Sequence, residues 1–221
     1  MSLGAAEAIQ AANDLLAAVG DDPVVAWWHV ETPALVVGRG DRRHHSVIPE
    51  VPVVRRASGG GPVLWGPHLV AFDVVLPRTH PLHTRDITAA YEWLGSAIAQ
   101  GLVDVGLPAR AVPPDEAHAL NDPELAAASC FAGISPWEVL VGDRKVGGLS
   151  QIRRRTGLVL QVGVLARPED PPLWSVLGED ASMGRRLTER TTSLAQEGVA
   201  DREAAREAID HRVTERLAAA A

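Results

Sequence analysis

Residues 137–165 read WEVLVGDRKVGGLSQIRRRTGLVLQVGVL, and they decide the fold. Two short runs rich in Val, Leu and Ile flank Gly142-Asp143, a pair suited to a type II′ hairpin turn. Thr156-Gly157 offers a second reversal into LVLQVGVLA. The pattern predicts a three-stranded antiparallel meander over 137–141, 144–151 and 158–165.

Upstream, Ile9, Leu15, Leu16 and Val19 fall at helical spacings, predicting an amphipathic helix over 3–19. VVAWWHV (24–30), ALVVG (34–38) and residues 51–56 read as strands, and Leu69–Leu76 as a strand buried on both faces. Residues 87–106 form the best helical pattern, with Asp86 as N-cap and Gly106 at the C-terminal end. Residues 108–129 are Pro- and Ala-rich and read as a loop with one helical turn. A charged helix is expected from Asp201 to Leu217. Helix and strand runs in this order give an α+β class with a mixed, mostly antiparallel sheet, as one domain over 1–221.

The chain has 221 residues, 46% of them apolar and 22% charged, which suits a folded domain with a sizeable core. No stretch reaches the roughly 20 apolar residues of a membrane span. A net charge of −7 argues against a nucleic-acid partner. The start, MSLGAAEAIQAANDLL, lacks Lys and Arg and does not read as a targeting peptide. With a single cysteine, the expectation is a cytoplasmic protein without disulfides. His44-His45 and the pair His80 and His83 lack completing ligands, so no metal site is expected.

Three features carry chemistry. Arg55-Arg56-Ala57-Ser58-Gly59-Gly60-Gly61 could bring backbone N–H groups close to an anionic ligand, or serve as a flexible turn. It lacks the Gly-Lys-Ser/Thr of a P-loop. Cys130 is the lone cysteine, a candidate nucleophile or an inert packed thiol. Lys145 is the one lysine among 21 basic residues, either retained for its compact ammonium or left on the surface by chance. The hairpin turn folds it back toward the cysteine segment.

RRASGGGPV and, some 70 residues on, CFAGISPWEVLVGDRKVGGLSQ together resemble the lipoate/octanoate branch of the biotin/lipoate ligase superfamily. The resemblance covers roughly residues 5–200. It implies that Arg55, Arg56, Ser58, Gly59, Gly60 and Gly61 line an acyl pocket and that Gly38 closes a hairpin beside it. Lys145 would contact the acyl carbonyl, with Gly148 and Gln151 following it in the motif. Cys130 stands where the family's cysteine-dependent transferases carry their nucleophile. Trp65-Gly66 replaces the usual His-Asp pair and would reshape the pocket.

The resemblance implies attachment of an octanoyl or lipoyl group to a lysine of lipoyl domains, those of 2-oxoacid dehydrogenases or the glycine cleavage H protein. The favoured route is a Cys130 thioester without a cofactor, acyl carrier protein being a candidate donor. One alternative is a ligase using ATP and Mg²⁺; another is an acyl-binding homologue without turnover.

Overall fold

The computed structural model describes residues 2–220. Strand β1 (Ser2–Leu3) and helix α1 (Ala5–Ala17) precede β2 (Val24–Val30), β3 (Ala34–Val37), β4 (Val53–Arg55), β5 (Val63–Trp65) and β6 (Leu69–Pro77). Helix α2 (Ala89–Asp104), β7 (Ala109–Ala111), α3 (Pro114–Leu120) and α4 (Pro123–Ala128) follow. The meander is β8 (Val139–Val141), β9 (Arg144–Arg153) and β10 (Gly157–Leu165). Helices α5 (Leu173–Val176), α6 (Ala181–Glu189) and α7 (Arg202–Ala218) complete the chain.

Seven strands form one sheet in the order β1-β2-β6-β10-β9-β8-β7, and β4-β3-β5 form a smaller one. The class is α+β, with antiparallel pairing except at β1–β2 and β3–β4.

Alternation along the central strands sorts their side chains between two faces. Val70, Phe72, Val74 and Leu76 of β6, with Leu158, Leu160, Val162 and Val164 of β10, pack beneath α2 and α7 through Leu94, Ile98, Ile209 and Val213. The opposite face carries Leu69, Ala71 and Leu165 toward α1 and the small sheet. All nine residues of β6 are buried, as a central strand covered on both sides must be.

The meander has the expected two-residue turn, with Gly142 at φ 57 as the first turn residue requires. Its first strand is shorter than expected. Trp137 sits at φ 67, outside the strand region, so pairing starts at Val139. The long helix starts at Ala89 with Thr88 as its N-cap, and Asp86 supports the turn before it, its Oδ1 accepting from the Thr88 and Ala89 amides. The segment 108–129 is a correction, since it holds a strand and two short helices. Pro114 and Pro123 occupy first-turn positions, where a missing N–H costs nothing, and Asp122 caps the second helix through Glu124 N and Leu125 N.

Candidate active site

Two cavities meet beside the segment that carries Cys130. The first is mainly apolar, about 570 Å³ with its mouth, and walled by residues including Ile9, Val36, Trp65, Leu69, Phe131 and Gly163. The second is more polar, about 790 Å³ with its open mouth, and bounded by Ser58 to Gly61, Tyr91, Asn121, Glu138 and Gln151. Arg56, Cys130, Leu149 and Ser150 border both. The only thiol therefore stands where an apolar chain would end and a polar mouth begins.

Cys130 follows α4, and its amide donates to Pro62 O at 2.8 Å, tying the cysteine segment to the glycine loop. Arg56 is buried beneath that loop. Its Nε and Nη2 hold Gly59 O, and Nη2 also holds Gly61 O. Nη2 lies 3.9 Å from Cys130 Sγ, so a fixed positive charge faces the sulfur. A Cβ on Gly60, at φ 95, would come within 2.9 Å of Arg56 Nη2, and one on Gly61 within 2.5 Å of Ala126 O. The glycines thus let the loop close over Arg56 and the cysteine segment. A Gly60→Val change would act through backbone strain and a clash with Arg56.

Lys145 is 1% exposed, which excludes the surface reading. It does not point at an open acyl site, however. Its Nζ pairs with Glu138 Oε2 at 2.6 Å and donates to Cys130 O at 2.8 Å and Gly133 O at 3.0 Å. Those three bonds use all three ammonium donors. Contact with a substrate oxygen would require surrendering one of these bonds, which grip the cysteine segment.

Other expected residues divide. Ser58, Gly148 and Trp65 lie on cavity walls. Gly59 borders the polar cavity, while Gly38 lies behind it: a Cβ there would meet Gly60 O at 2.5 Å. Arg55 lines neither cavity and latches the 38–41 turn through Gly38 O and Asp41 O. Gln151 sits at the outer edge, donating to Ile87 O and accepting from Arg153 Nε.

The sequence reading missed a polar row across three strands. Asp73, Gln161 and Ser150 are register partners and share a face. Gln161 Oε1 accepts from the Ser150 and Ser58 hydroxyls at 3.3 Å, and Asp73 Oδ2 accepts from Trp28 Nε1 at 2.7 Å. The signal was available, because Asp73 and Glu138 are lone acids beside apolar strand runs. Burial raises the Asp73 carboxyl to about 7, against the hydrogen bonds from Trp28 and Gln161.

The folded chain therefore keeps a proton that the unfolded chain releases from about pH 4 upward. The Asp73 contribution to stability falls as pH rises from there to about 7, then levels off. Asp73→Asn is expected to flatten this fall by up to a few kcal/mol in urea unfolding at pH 4.5 and 7.5. An unchanged fall would contradict the burial argument. Among the described residues, no group of three or more His, Cys, Asp or Glu side chains could hold a metal ion. No helix among them is long and apolar enough to cross a membrane.

Known proteins are similar to this chain. The octanoyltransferase LipM of Exiguobacterium sibiricum is 33% identical over 150 residues, covering 66% of this chain and 53% of that protein. That of Staphylococcus aureus is 30% identical over 158 residues, covering 67% and 56%. The chain spans about half the length of the curated relatives it matches. A putative lipoate protein ligase from Thermoplasma acidophilum with bound lipoic acid superposes with a TM-score of 0.76, at 19% identity, over 99% of this chain and 83% of that one. A lipoate-protein ligase A bound with ATP gives 0.75 at 18% identity, over 99% and 83%. Both show the shared fold. Residues 5–218 match the lipoyl protein ligase A/B catalytic domain, and the chain belongs to that family.

Proposed function

We propose that the chain is an acyltransferase that carries a medium-length acyl group, octanoyl or lipoyl, as a thioester on Cys130. The observation that carries this reading is the sulfur's place at the junction of the two cavities, facing the Arg56 guanidinium. In the first step Sγ bonds to the carbonyl carbon of a donor thioester, and the donor sulfur leaves and takes up a proton. In the second, a lysine amine of a lipoyl domain attacks the same carbon. An amide forms, the amine loses a proton, and Cys130 is released. Arg56 stabilises the negative charge borne by sulfur or the carbonyl oxygen at each stage.

The apolar cavity holds the chain. At about 0.8 kcal/mol per buried methylene, a medium-length chain supplies on the order of 5 kcal/mol. The occupied donors of Lys145 favour the thioester over the ligase route, in which that ammonium would serve an adenylate phosphate. The transferase route needs neither ATP nor Mg²⁺. The LipM relatives support octanoyl as the acyl group, and one structural neighbour was studied together with its E2 lipoyl domain. Exposed Arg39, Arg42 and Arg43 flank the glycine loop and have no carboxylate partner among the described residues, which suits an acidic lipoyl or acyl carrier domain.

Intact mass spectrometry tests the reading. Octanoyl-pantetheine or octanoyl-acyl carrier protein should leave an octanoyl adduct without ATP. An adduct or adenylate seen only with octanoate, ATP and Mg²⁺ would move the assignment to the ligase. Trp65 walls the chain cavity, so Trp65→Ala should favour donors longer by two methylenes about tenfold, following their extra transfer energy. Competition between octanoyl and decanoyl donors measures this, and an unchanged product ratio would remove Trp65 from the chain-length wall.

A further inference from the structure

Resting on Cys130 as the nucleophile, we propose that Glu138 is a positioning residue that fixes the sulfur through the Lys145 ammonium. The cysteine segment, residues 129–135, belongs to no strand or helix. Besides the Cys130 amide bond to Pro62 O and the Ile134 amide bond to Asn121 Oδ1, three of its attachments converge on one buried ion pair. Lys145 takes the carbonyls of Cys130 and Gly133, and Glu138 Oε2 takes the Ser135 amide at 2.7 Å. The other carboxylate oxygen accepts from Leu149 N in β9 at 3.2 Å. Glu138 is 2% exposed, so neither charge is dissolved in water.

The pair thus connects three points of the segment to the strand that walls both cavities. Glu138 also aims the ammonium. Two neutral carbonyls alone would leave a buried cation uncompensated, and the lysine would withdraw toward the polar cavity. The Trp137 φ of 67 immediately before Glu138 turns the chain at this point, leading into β8. Neither Glu138 nor Lys145 itself lines the apolar cavity, so the effect should appear in the rate more than in binding of the acyl chain.

The test uses the full chain and octanoyl-pantetheine as the small donor, with the rate of Cys130 acylation read by quenched intact mass per folded molecule. Glu138→Gln should lower the maximal rate about 10- to 100-fold while the donor KM stays within about twofold. The double variant Glu138→Leu/Lys145→Met removes both charges, leaves no isolated buried ion, and should fold but acylate just as slowly. Wild-type acylation in either folded variant would overturn the proposal. Failure of both to fold would also overturn it, because the pair would then hold the fold and not the sulfur. If the wild-type protein is never acylated, the thioester reading fails instead. Alkylation of Cys130 by iodoacetamide in the same proteins then decides the positioning role: about tenfold altered rates support it, and equal rates refute it.

Discussion

Cys130→Ser is expected to abolish the octanoyl adduct and to lower transfer to a lipoyl domain by at least about 1,000-fold, as losses of a nucleophile do. The serine hydroxyl is a far weaker nucleophile than a thiolate, and among the described residues no histidine borders either cavity to take its proton. The fold should be unaffected, because Cys130 is held by backbone bonds through its N and O atoms. Transfer by the serine variant is measured with radiolabelled or mass-tagged octanoyl donor. Activity within about tenfold of wild type would mean the chemistry bypasses the sulfur.

Lys145→Ala should give the second large effect, on stability as well as rate. Removing the ammonium leaves the Glu138 carboxylate buried without a counter-ion, a loss of about 3–5 kcal/mol in comparable pairs. For a chain of this size that lowers the thermal midpoint by roughly 10 °C. The carbonyls of Cys130 and Gly133 lose their donor together, so transfer should fall by at least about 100-fold per folded molecule. Lys145→Arg keeps the charge but is also expected to fail. The lysine chain already lies 3.3 Å from where a Cβ of Gly148 would be, and a planar guanidinium cannot meet the same three partners in so small a space. Calorimetry and rate measurements check both variants. A wild-type midpoint and rate in Lys145→Arg would show that charge alone suffices there.

Much of the fold was legible because its signals are local. Gly142-Asp143 marks the hairpin turn, Asp86 and Gly106 bound the long helix, and Leu69–Leu76 announces a doubly covered strand. The two-residue strand β1 and the three-residue strands β5 and β7 were not, since a strand that short carries no period. Residues 108–129 misled because Pro was read as a breaker, whereas Pro114 and Pro123 start helices.

The site was legible as a set of residues but not as a set of roles. Sequence brought Arg56, Ser58, Cys130 and Lys145 into one neighbourhood. It could not show that Arg55 holds the 38–41 turn while Arg56, next in sequence, holds the glycine loop, or that Lys145 spends its donors on Glu138 and two backbone carbonyls. Those facts depend on long-range packing, as does the pairing of Asp73 with Gln161 across β6 and β10.

The central claim is that Cys130 carries the acyl group between two partners. It is tested most directly by isolating the octanoylated protein free of donor, mapping the adduct by peptide mass, and mixing it with an unmodified lipoyl domain without ATP. The account predicts an adduct on the peptide containing Cys130 that disappears as octanoyl-lysine appears on the lipoyl domain, at a rate at least equal to steady-state turnover. An adduct that persists while turnover proceeds, or transfer that begins only when ATP is added, would contradict it.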